Sequence, residues 1–278
     1  MTTETATPES PDTNPETSPQ KSPATSADKP AQKSPGSRLW DEAKELPRTL
    51  IGAFIVYVVF TTAAFANYSI PSESMTPTLE VGDRVVVSKI AYGYSRYSLP
   101  FDLGALLPHE EHRLFEHLPQ RGDVVVFMHP QEPGRVMIKR LIGLPGDVIE
   151  VRDSHLIING QPVALSDGQP LERLAYQRGV ESAIRYEETL PGGVRHPIDQ
   201  FPISNEFDNW GPFTVPAGEV FFIGDNRDNS LDSRYPGMGP VPIENLIGKA
   251  ETIYFTGGDC GQGGLSCPRP RWLKPLHD

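Results

Sequence analysis

The longest apolar stretch of the chain lies near its amino terminus. No charged residue occurs between Thr49 and Ser72, and residues 50–66 are almost continuously apolar. About 20 helical residues cross the hydrocarbon core of a bilayer. The pattern therefore predicts one transmembrane helix over residues 49–70, with a helix buried in a soluble core as the alternative. No later stretch is long and apolar enough to span again, which predicts a single-pass protein.

The segment before this anchor is rich in Thr, Ser, Pro, Glu and Lys, most clearly up to about residue 37. Such a composition cannot bury enough surface to offset the entropy of ordering, so we expect residues 1–48 to form a disordered tail. Basic residues are denser before the anchor than after it, which predicts a cytoplasmic tail and an extracytoplasmic domain over residues 71–278. The basic residues before it are Lys33, Arg38, Lys44 and Arg48, and those soon after it are Arg84 and Lys89.

Beyond the anchor, short runs rich in Val and Ile alternate with turn residues, and this pattern predicts β-strands. The Asn159-Gly160 pair predicts a tight hairpin turn. We expect a mostly β domain with antiparallel sheets, and we interpret residues 100–120 and about 165–212, which are rich in Pro, Gly and charge, as loops or insertions. The clearest predicted strands are Arg84–Ile90, Asp123–Phe127, Val136–Ile142, Val148–Val151 and Val220–Ile223.

The net charge of −11 and the lack of any Lys/Arg-rich run argue against a nucleic-acid partner. The two cysteines, Cys260 and Cys267, both fall in the expected extracytoplasmic domain. In an oxidising compartment they could form a disulfide, and free thiols are the alternative. No histidine stands near them at ligand spacing, so we expect no metal site there.

Two serines, Ser72 and Ser74, follow the anchor by a few residues, and a nucleophilic serine needs a base. A Ser-His-Asp triad is not indicated, because the seven histidines lie in loop-like or polar contexts and Gly-x-Ser-x-Gly is absent. Lys139 lies among large apolar residues, and desolvation there would lower its pKa towards neutrality. Alternatively, Lys139 protects a sheet edge from aggregation. Together with Ser74, it predicts a membrane-tethered serine hydrolase.

Five segments in order after the anchor carry a specific likeness: Ser72–Leu79, Gly82–Lys89, Arg121–Phe127, Lys139–Asp147 and Gly224–Arg234. This series resembles the motifs of the bacterial type I signal peptidases, Ser-Lys serine proteases that remove signal peptides from exported preproteins. The likeness extends from the anchor to about Pro242, and the single anchor is similar to that of the one-span members.

The resemblance implies a role for each matching residue. Ser74 would be the nucleophile and Lys139 the general base, acting through an acyl-enzyme. The Ser72 hydroxyl and the Ser74 N–H would form the oxyanion hole, and Ser230 would orient the lysine amine. A supporting ion-pair network would comprise Asp225, Arg140, Asp232 and Arg234. A calcium loop beginning at Asp225 is excluded, because Arg227 stands where a ligand would be needed.

The resemblance further implies a substrate and no cofactor. The partners would be membrane lipid and secretory preproteins, bound as extended segments with small side chains one and three residues before the cut. Ala64-Phe65-Ala66 has this small-x-small pattern, so self-cleavage after Ala66 is conceivable. A conventional signal-peptide cleavage site is disfavoured by the length of the preceding segment. Glu73 departs from the family, which often has glycine there; its carboxylate would face solvent or tune the lysine.

Two other function classes remain open at this stage. A self-cleaving regulator with Ser-Lys chemistry would need a DNA-binding segment where this chain has its anchor. A non-catalytic, membrane-tethered β-domain that binds wall or secreted partners would leave the dense polar motifs unexplained. The sequence decides neither the substrate range nor the oligomeric state.

Overall fold

A computed structural model of the chain describes residues 35–98, 113–175, 179–203, 205–257 and 271–276. The expected tail up to residue 34 and most of the expected loop 100–120 lie outside these residues. Cys260 and Cys267 also lie outside them, so the disulfide stays a prediction.

The described residues form one α-helix, one 3₁₀ turn and sixteen strands. Helix α1 is Pro35–Ala64, and the 3₁₀ turn is Ile243–Asn245. The strands are β1 Phe65–Ser69, β2 Asp83–Ser88, β3 Val124–Met128, β4 Val136–Gly143, β5 Val148–Arg152, β6 His155–Ile158, β7 Gln161–Pro162, β8 Ala164–Leu165, β9 Gln169–Ala175, β10 Gly179–Thr189, β11 Arg195–Gln200, β12 Trp210–Thr214, β13 Glu219–Ile223, β14 Val241–Pro242, β15 Leu246–Thr256 and β16 Lys274–Pro275.

Helix α1 differs from the expected anchor at both ends. It includes residues 35–48 of the expected disordered tail, where helix formers such as Ala43 and Leu46 favour an early start. It stops at Ala64, and Phe65–Ser69 form a strand instead of the last helical turn. In a strand the side chains of Tyr68 and Ile70 point to the same face, and both pack on the core beside β2. Among the helices of the described residues, none combines the length and the apolarity that crossing a membrane requires.

The predicted antiparallel β architecture is confirmed. The largest sheet has the order β1-β2-β15-β3-β4-β13-β14, with β16 paired to β15. A second sheet has the order β11-β10-β8, with β9 paired to β10, and a third has the order β12-β5-β6-β7. Every pair of these strands is antiparallel. The predicted hairpin is also present, since Asn159 and Gly160 have φ values of 53° and 75°.

Strand β3 explains why the largest sheet is covered on both faces. Its run of apolar residues has no polar alternation, which is typical of a strand buried on both sides. Val124 and Val126 belong to one core cluster, whereas Val125 and Phe127 belong to another. The sheet therefore lies between two apolar layers, and the residues of the neighbouring strand β4 are buried from Lys139 to Gly143.

The interpretation of residues 165–212 as loops is wrong. These residues form strands β9, β10 and β11, with the end of β8 and the start of β12. The second sheet, β8 to β11, is called the inserted sheet below. The usual strand signal is weak here because inward positions carry polar side chains: Glu188, His196 and Asp199 are all buried. Alternation of apolar and polar residues cannot reveal a strand whose buried positions are charged.

Candidate active site

Ser74 is held by the apolar residues around it. Met75 and Leu79 are fully buried in the core cluster below β2, and Leu79 N donates a 2.8 Å hydrogen bond to Met75 O. Thr76 N donates to Glu73 O at 3.0 Å, which closes a turn around Ser74. This tight turn presents the Ser74 hydroxyl, and the residue is only 8 % exposed.

Lys139 lies on β4 and points at Ser74. Its Nζ donates a 2.6 Å hydrogen bond to Ser74 Oγ and a 2.9 Å bond to Ile138 O. Burial lowers the pKa of Lys139 to about 8, against the charges of Asp232 and Asp225, which raise it. The alternative interpretation, a lysine that protects a sheet edge from aggregation, is excluded, because Lys139 is only 2 % exposed and its amine is hydrogen-bonded inside the protein.

The two serines predicted to act together are close. Ser72 Oγ lies 3.4 Å from Ser74 Oγ, and Ser72 is exposed whereas Ser74 is buried. A hydroxyl at this position can donate to an oxygen that develops negative charge next to Ser74 Oγ, as an oxyanion-hole donor does.

Ser230 is close to the pair but does not make the expected bond. The Lys139 amine bonds to Ser74 and Ile138, whereas the buried Ser230 Oγ has no hydrogen-bond partner of normal geometry. Ser230 instead helps to lower the pKa of Asp232. Its hydroxyl packs against Gly224, where an added Cβ would lie 2.1 Å from Ser230 Oγ and 2.4 Å from Ser74 O. Gly224 therefore leaves the room that lets these residues approach the Ser74 backbone.

The predicted supporting residues form two separate buried ion pairs. Arg140 Nε and Nη2 donate to the two carboxylate oxygens of Asp225 at 2.8 and 2.7 Å. Arg234 donates to both oxygens of Asp232 at 2.9 Å. Burial works to raise the pKa of Asp225 and of Asp232, but the paired arginine outweighs it and lowers each. Both carboxylates are therefore ionised beside the amine of Lys139.

Several residues of this region were not predicted from the sequence. Thr78 donates its hydroxyl to Asp225 and accepts a 3.3 Å bond from Arg140 Nη2. Glu188 and His196 reach the same ion pair from the inserted sheet. Thr78 lies inside the Ser72–Leu79 segment, and its place in that motif could have indicated a role in the site. Glu188 and His196 lie in the segment taken for a loop, and no local pattern marked them.

An open cleft of about 320 Å³ runs past the Ser74 hydroxyl. Strand β13 pairs with β4 only from Arg140 to Gly143, so residues 136–139 of β4 have an edge without a partner among the described strands. The cleft is lined by Pro71, Ser72, Glu73, Ser74, Arg135, Val136, Met137, Ile138, Lys139, Asn229 and Leu231. This geometry suits an extended peptide laid along a strand edge.

Metal ligands are not grouped in the described part of the chain. Within it, no set of three or more His, Cys, Asp or Glu side chains is arranged to hold an ion. The carboxylates of Asp225 and Asp232, whose charges act on the Lys139 amine, are already bound to arginine.

Known proteins resemble this chain over the same region. The family model described as "Signal peptidase, peptidase S26" matches residues 43–255. The signal peptidase I of Rickettsia typhi is 38 % identical over 195 residues, 68 % of this chain and 71 % of that protein. The signal peptidase I of Rickettsia bellii strain OSU 85-389 is 35 % identical over 218 residues, 75 % of this chain and 72 % of that protein. A crystal structure of a signal peptidase I from Enterococcus faecalis V583 has 29 % identity and a TM-score of 0.30, and covers 48 % of this chain and 97 % of that one.

The match includes all the residues assigned to the site, from Ser72 to Arg234, and ends before Cys260. Since the family model covers most of the chain, and relatives more than 30 % identical cover over two thirds of it, the chain belongs to the signal peptidase family, peptidase S26.

Proposed function

We propose that this chain is a membrane-anchored serine endopeptidase that removes signal peptides from exported preproteins by a Ser74–Lys139 mechanism. The observation that carries the proposal is the 2.6 Å hydrogen bond between a buried lysine amine and a serine hydroxyl at an open cleft. The names of the relatives, signal peptidase I, support the same substrate class for this chain.

The reaction begins with neutral Lys139. In that form Nζ accepts the proton of Ser74 Oγ while the oxygen attacks the scissile carbonyl carbon. The protonated amine then donates to the departing nitrogen, which leaves an ester on Ser74. Lys139 next takes a proton from water while the hydroxide equivalent attacks the ester. The amine then returns this proton to Ser74 Oγ as the ester bond breaks, which releases the cleaved signal peptide and restores neutral Lys139. Every proton in this scheme moves through one amine, and no cofactor takes part.

The oxyanion that forms in each attack needs donors that are already in place. The Ser72 hydroxyl, 3.4 Å from Ser74 Oγ, is one, and the Ser74 N–H is the other. One such donor contributes about 3 kcal/mol to the stability of a transition state. The substrate would pair with the open edge of β4 near Val136–Ile138. We expect the cleft lining, which includes Ser72 and Ile138, to select small side chains before the cut.

The proposal includes attachment to the cytoplasmic membrane through α1, with the tail in the cytoplasm and the β-domain outside. Large apolar side chains of α1 are exposed rather than packed: Leu50, Phe54, Val56 and Phe60 are each at least 64 % exposed. Leaving so many apolar side chains in water is unfavourable, and lipid would cover them. Carbonate extraction of membranes and protease protection of a tagged amino terminus test this part of the proposal.

The central test is cleavage of a purified preprotein by wild type, Ser74→Ala and Lys139→Ala, each checked for folding by circular dichroism. We expect cutting after a small-x-small site by wild type and none by the two variants. The control is Lys249→Ala, which removes an amine that is paired with Asp123 at 2.7 Å and lies outside the cleft lining. A Lys139→Ala enzyme with near wild-type rate would place the base elsewhere. Inert wild type on several preproteins would favour the tethered binding domain.

A further inference from the structure

The inserted sheet presents two buried polar side chains to the Gly224–Arg234 segment. Glu188 on β10 and His196 on β11 are register partners and are at most 3 % exposed. Glu188 Oε2 accepts a hydrogen bond from Arg227 Nη2 and lies 3.2 Å from His196 Nε2. His196 Nε2 in turn lies 3.8 Å from Asp225 Oδ1. One face of residues 225–227 is therefore held by side chains of the inserted sheet.

The backbone of the inserted sheet holds the same three residues. Asp199 N donates to Asp225 O at 2.9 Å, and Arg227 N donates to Asp199 O at 2.9 Å. These bonds form a parallel bridge between Asp199 and Asn226. Arg185 also fixes Asp199, donating to its two carboxylate oxygens at 2.8 and 3.0 Å. The position of Asn226 is thus set from β10 and β11.

Asn226 passes this constraint to the nucleophile. Its N–H donates to Ser74 O at 3.2 Å, and its side-chain Nδ2 donates to Glu73 O at 3.0 Å. The carbonyl of Glu73 and the N–H of Ser74 belong to one planar peptide unit. A bond that fixes the direction of Glu73 C=O therefore also fixes the direction of Ser74 N–H, which is the backbone donor of the proposed oxyanion hole.

We propose that Glu188 is a positioning residue: through Arg227 and Asn226 it fixes the peptide plane that directs the Ser74 N–H at the oxyanion. The inference rests on the proposed function for its catalytic meaning, although the geometric link does not. Burial works to raise the pKa of Glu188, but Arg227 and His196 outweigh burial and lower it to about 2, so the carboxylate is ionised at working pH. A buried ion pair is weak evidence for stability, and a role in holding one geometry accounts better for its presence.

The chain offers a matched control for the test. Glu187 precedes Glu188 on β10, but it faces solvent on the opposite side of the strand. Glu188→Gln and Glu187→Gln make the same chemical change at adjacent positions. With a peptide substrate and the full-length protein, we expect Glu188→Gln to lower kcat by about 10²-fold with KM within twofold. Glu187→Gln should match wild type in both constants.

A second variant examines the next step of the same path. Asn226→Ala removes the bond to Glu73 O and leaves Arg227 and Glu188 in place. If both residues act through one peptide plane, the double variant loses no more kcat than the worse single variant, because effects of coupled residues do not add. Losses that multiply would overturn the proposal. A Glu188→Gln enzyme that keeps wild-type kcat, or that changes only KM, would also overturn it.

A readout independent of activity separates this inference from the proposed function. Backbone amide exchange of residues 73–76 should be faster in Glu188→Gln than in Glu187→Gln or wild type. If wild type cleaves no peptide, the proposed function fails, while the exchange data still decide whether Glu188 orders the Ser74 turn. If Glu188→Gln does not fold, exchange and kcat of Asn226→Ala decide it: unchanged values there refute the path.

Discussion

Replacing Lys139 with Met should make the protein more stable at neutral pH while abolishing cleavage. Burial lowers the pKa of Lys139 from 10.5 to about 8. At 1.36 kcal/mol per pH unit, charging this amine inside the folded protein costs about 3 kcal/mol relative to water. Met has a similar volume and no charge, and it forfeits a hydrogen bond to Ser74 that contributes about 1 kcal/mol. The expected gain at pH 7 is therefore about 2 kcal/mol.

The sign of the pH dependence follows from proton binding in the two states. Between about pH 8 and 10.5 the unfolded chain keeps the Lys139 proton while the folded protein has released it. The contribution of Lys139 to the free energy of unfolding of the wild type therefore rises with pH across that window, and it is lowest below pH 8. Because Met does not titrate, the advantage of Lys139→Met should shrink from pH 7 to pH 10.

Urea unfolding of the full-length protein in detergent at pH 7, 8.5 and 10 measures this difference. Lys249→Met is the control, since its amine is partly exposed and paired with Asp123, and removing it should stabilise the protein at no pH. Two results would refute the claim that burial lowers the pKa of Lys139 to near neutrality. One is a Lys139→Met variant that is no more stable than wild type at pH 7. The other is a difference in free energy of unfolding between variant and wild type that does not change with pH.

Three further outcomes are expected. The acid limb of kcat/KM for a peptide substrate should have its midpoint near the Lys139 pKa of about 8, and a midpoint near 6.5 would point to a histidine instead. Ser72→Ala should lower kcat by about 10²-fold with little change in KM, whereas Ser72→Thr should recover most of it, and equal losses in both would argue against a donated hydroxyl. Cleavage after Ala66 should be absent from the folded protein, because Ala66 pairs with Val87 within the β1–β2 ladder; intact-mass spectrometry that finds the shortened chain would contradict this.

The sequence was sufficient to select Ser74 and Lys139 as a candidate pair, because each residue carries a local signal. Lys139 interrupts an apolar run, and Ser74 follows a long apolar segment in a motif rich in turn residues. The strands around them were predicted to within about two residues for the same reason. Burial of Met75 and Leu79 in the core fixes the turn that carries Ser74. The distance of 2.6 Å between Lys139 Nζ and Ser74 Oγ depends on how this turn packs against β4.

The rest of the site depends on contacts between residues far apart in the chain. Glu188 bonds to Arg227, and Thr78 bonds to Asp225 across most of the domain. Each of these residues is of a polar type that usually lies on the protein surface. Its bond to a distant partner offsets the free-energy cost of burying it. The inserted sheet was missed on the same physical ground, since its inward positions are charged. The early end of α1 was missed because the apolar run continues into β1. It hides the alternation of exposed and half-buried side chains along Phe65–Ser69.

Arg140 and Arg234 weaken the effect of two buried carboxylates on the pKa of Lys139. Asp225 and Asp232 both raise the pKa of Lys139, yet their carboxylates accept the hydrogen bonds that order the Gly224–Arg234 segment. Two unpaired anions in a buried site would hold the amine in its charged form, in which it cannot accept the Ser74 proton. Arg140 and Arg234 turn each carboxylate into a close ion pair, whose field at the amine falls off faster than that of a single charge. Burial then remains the largest influence on the pKa of Lys139, so the ion pairs allow an ordered polar segment to lie beside an amine whose pKa is lowered to about 8, as the proposed base requires.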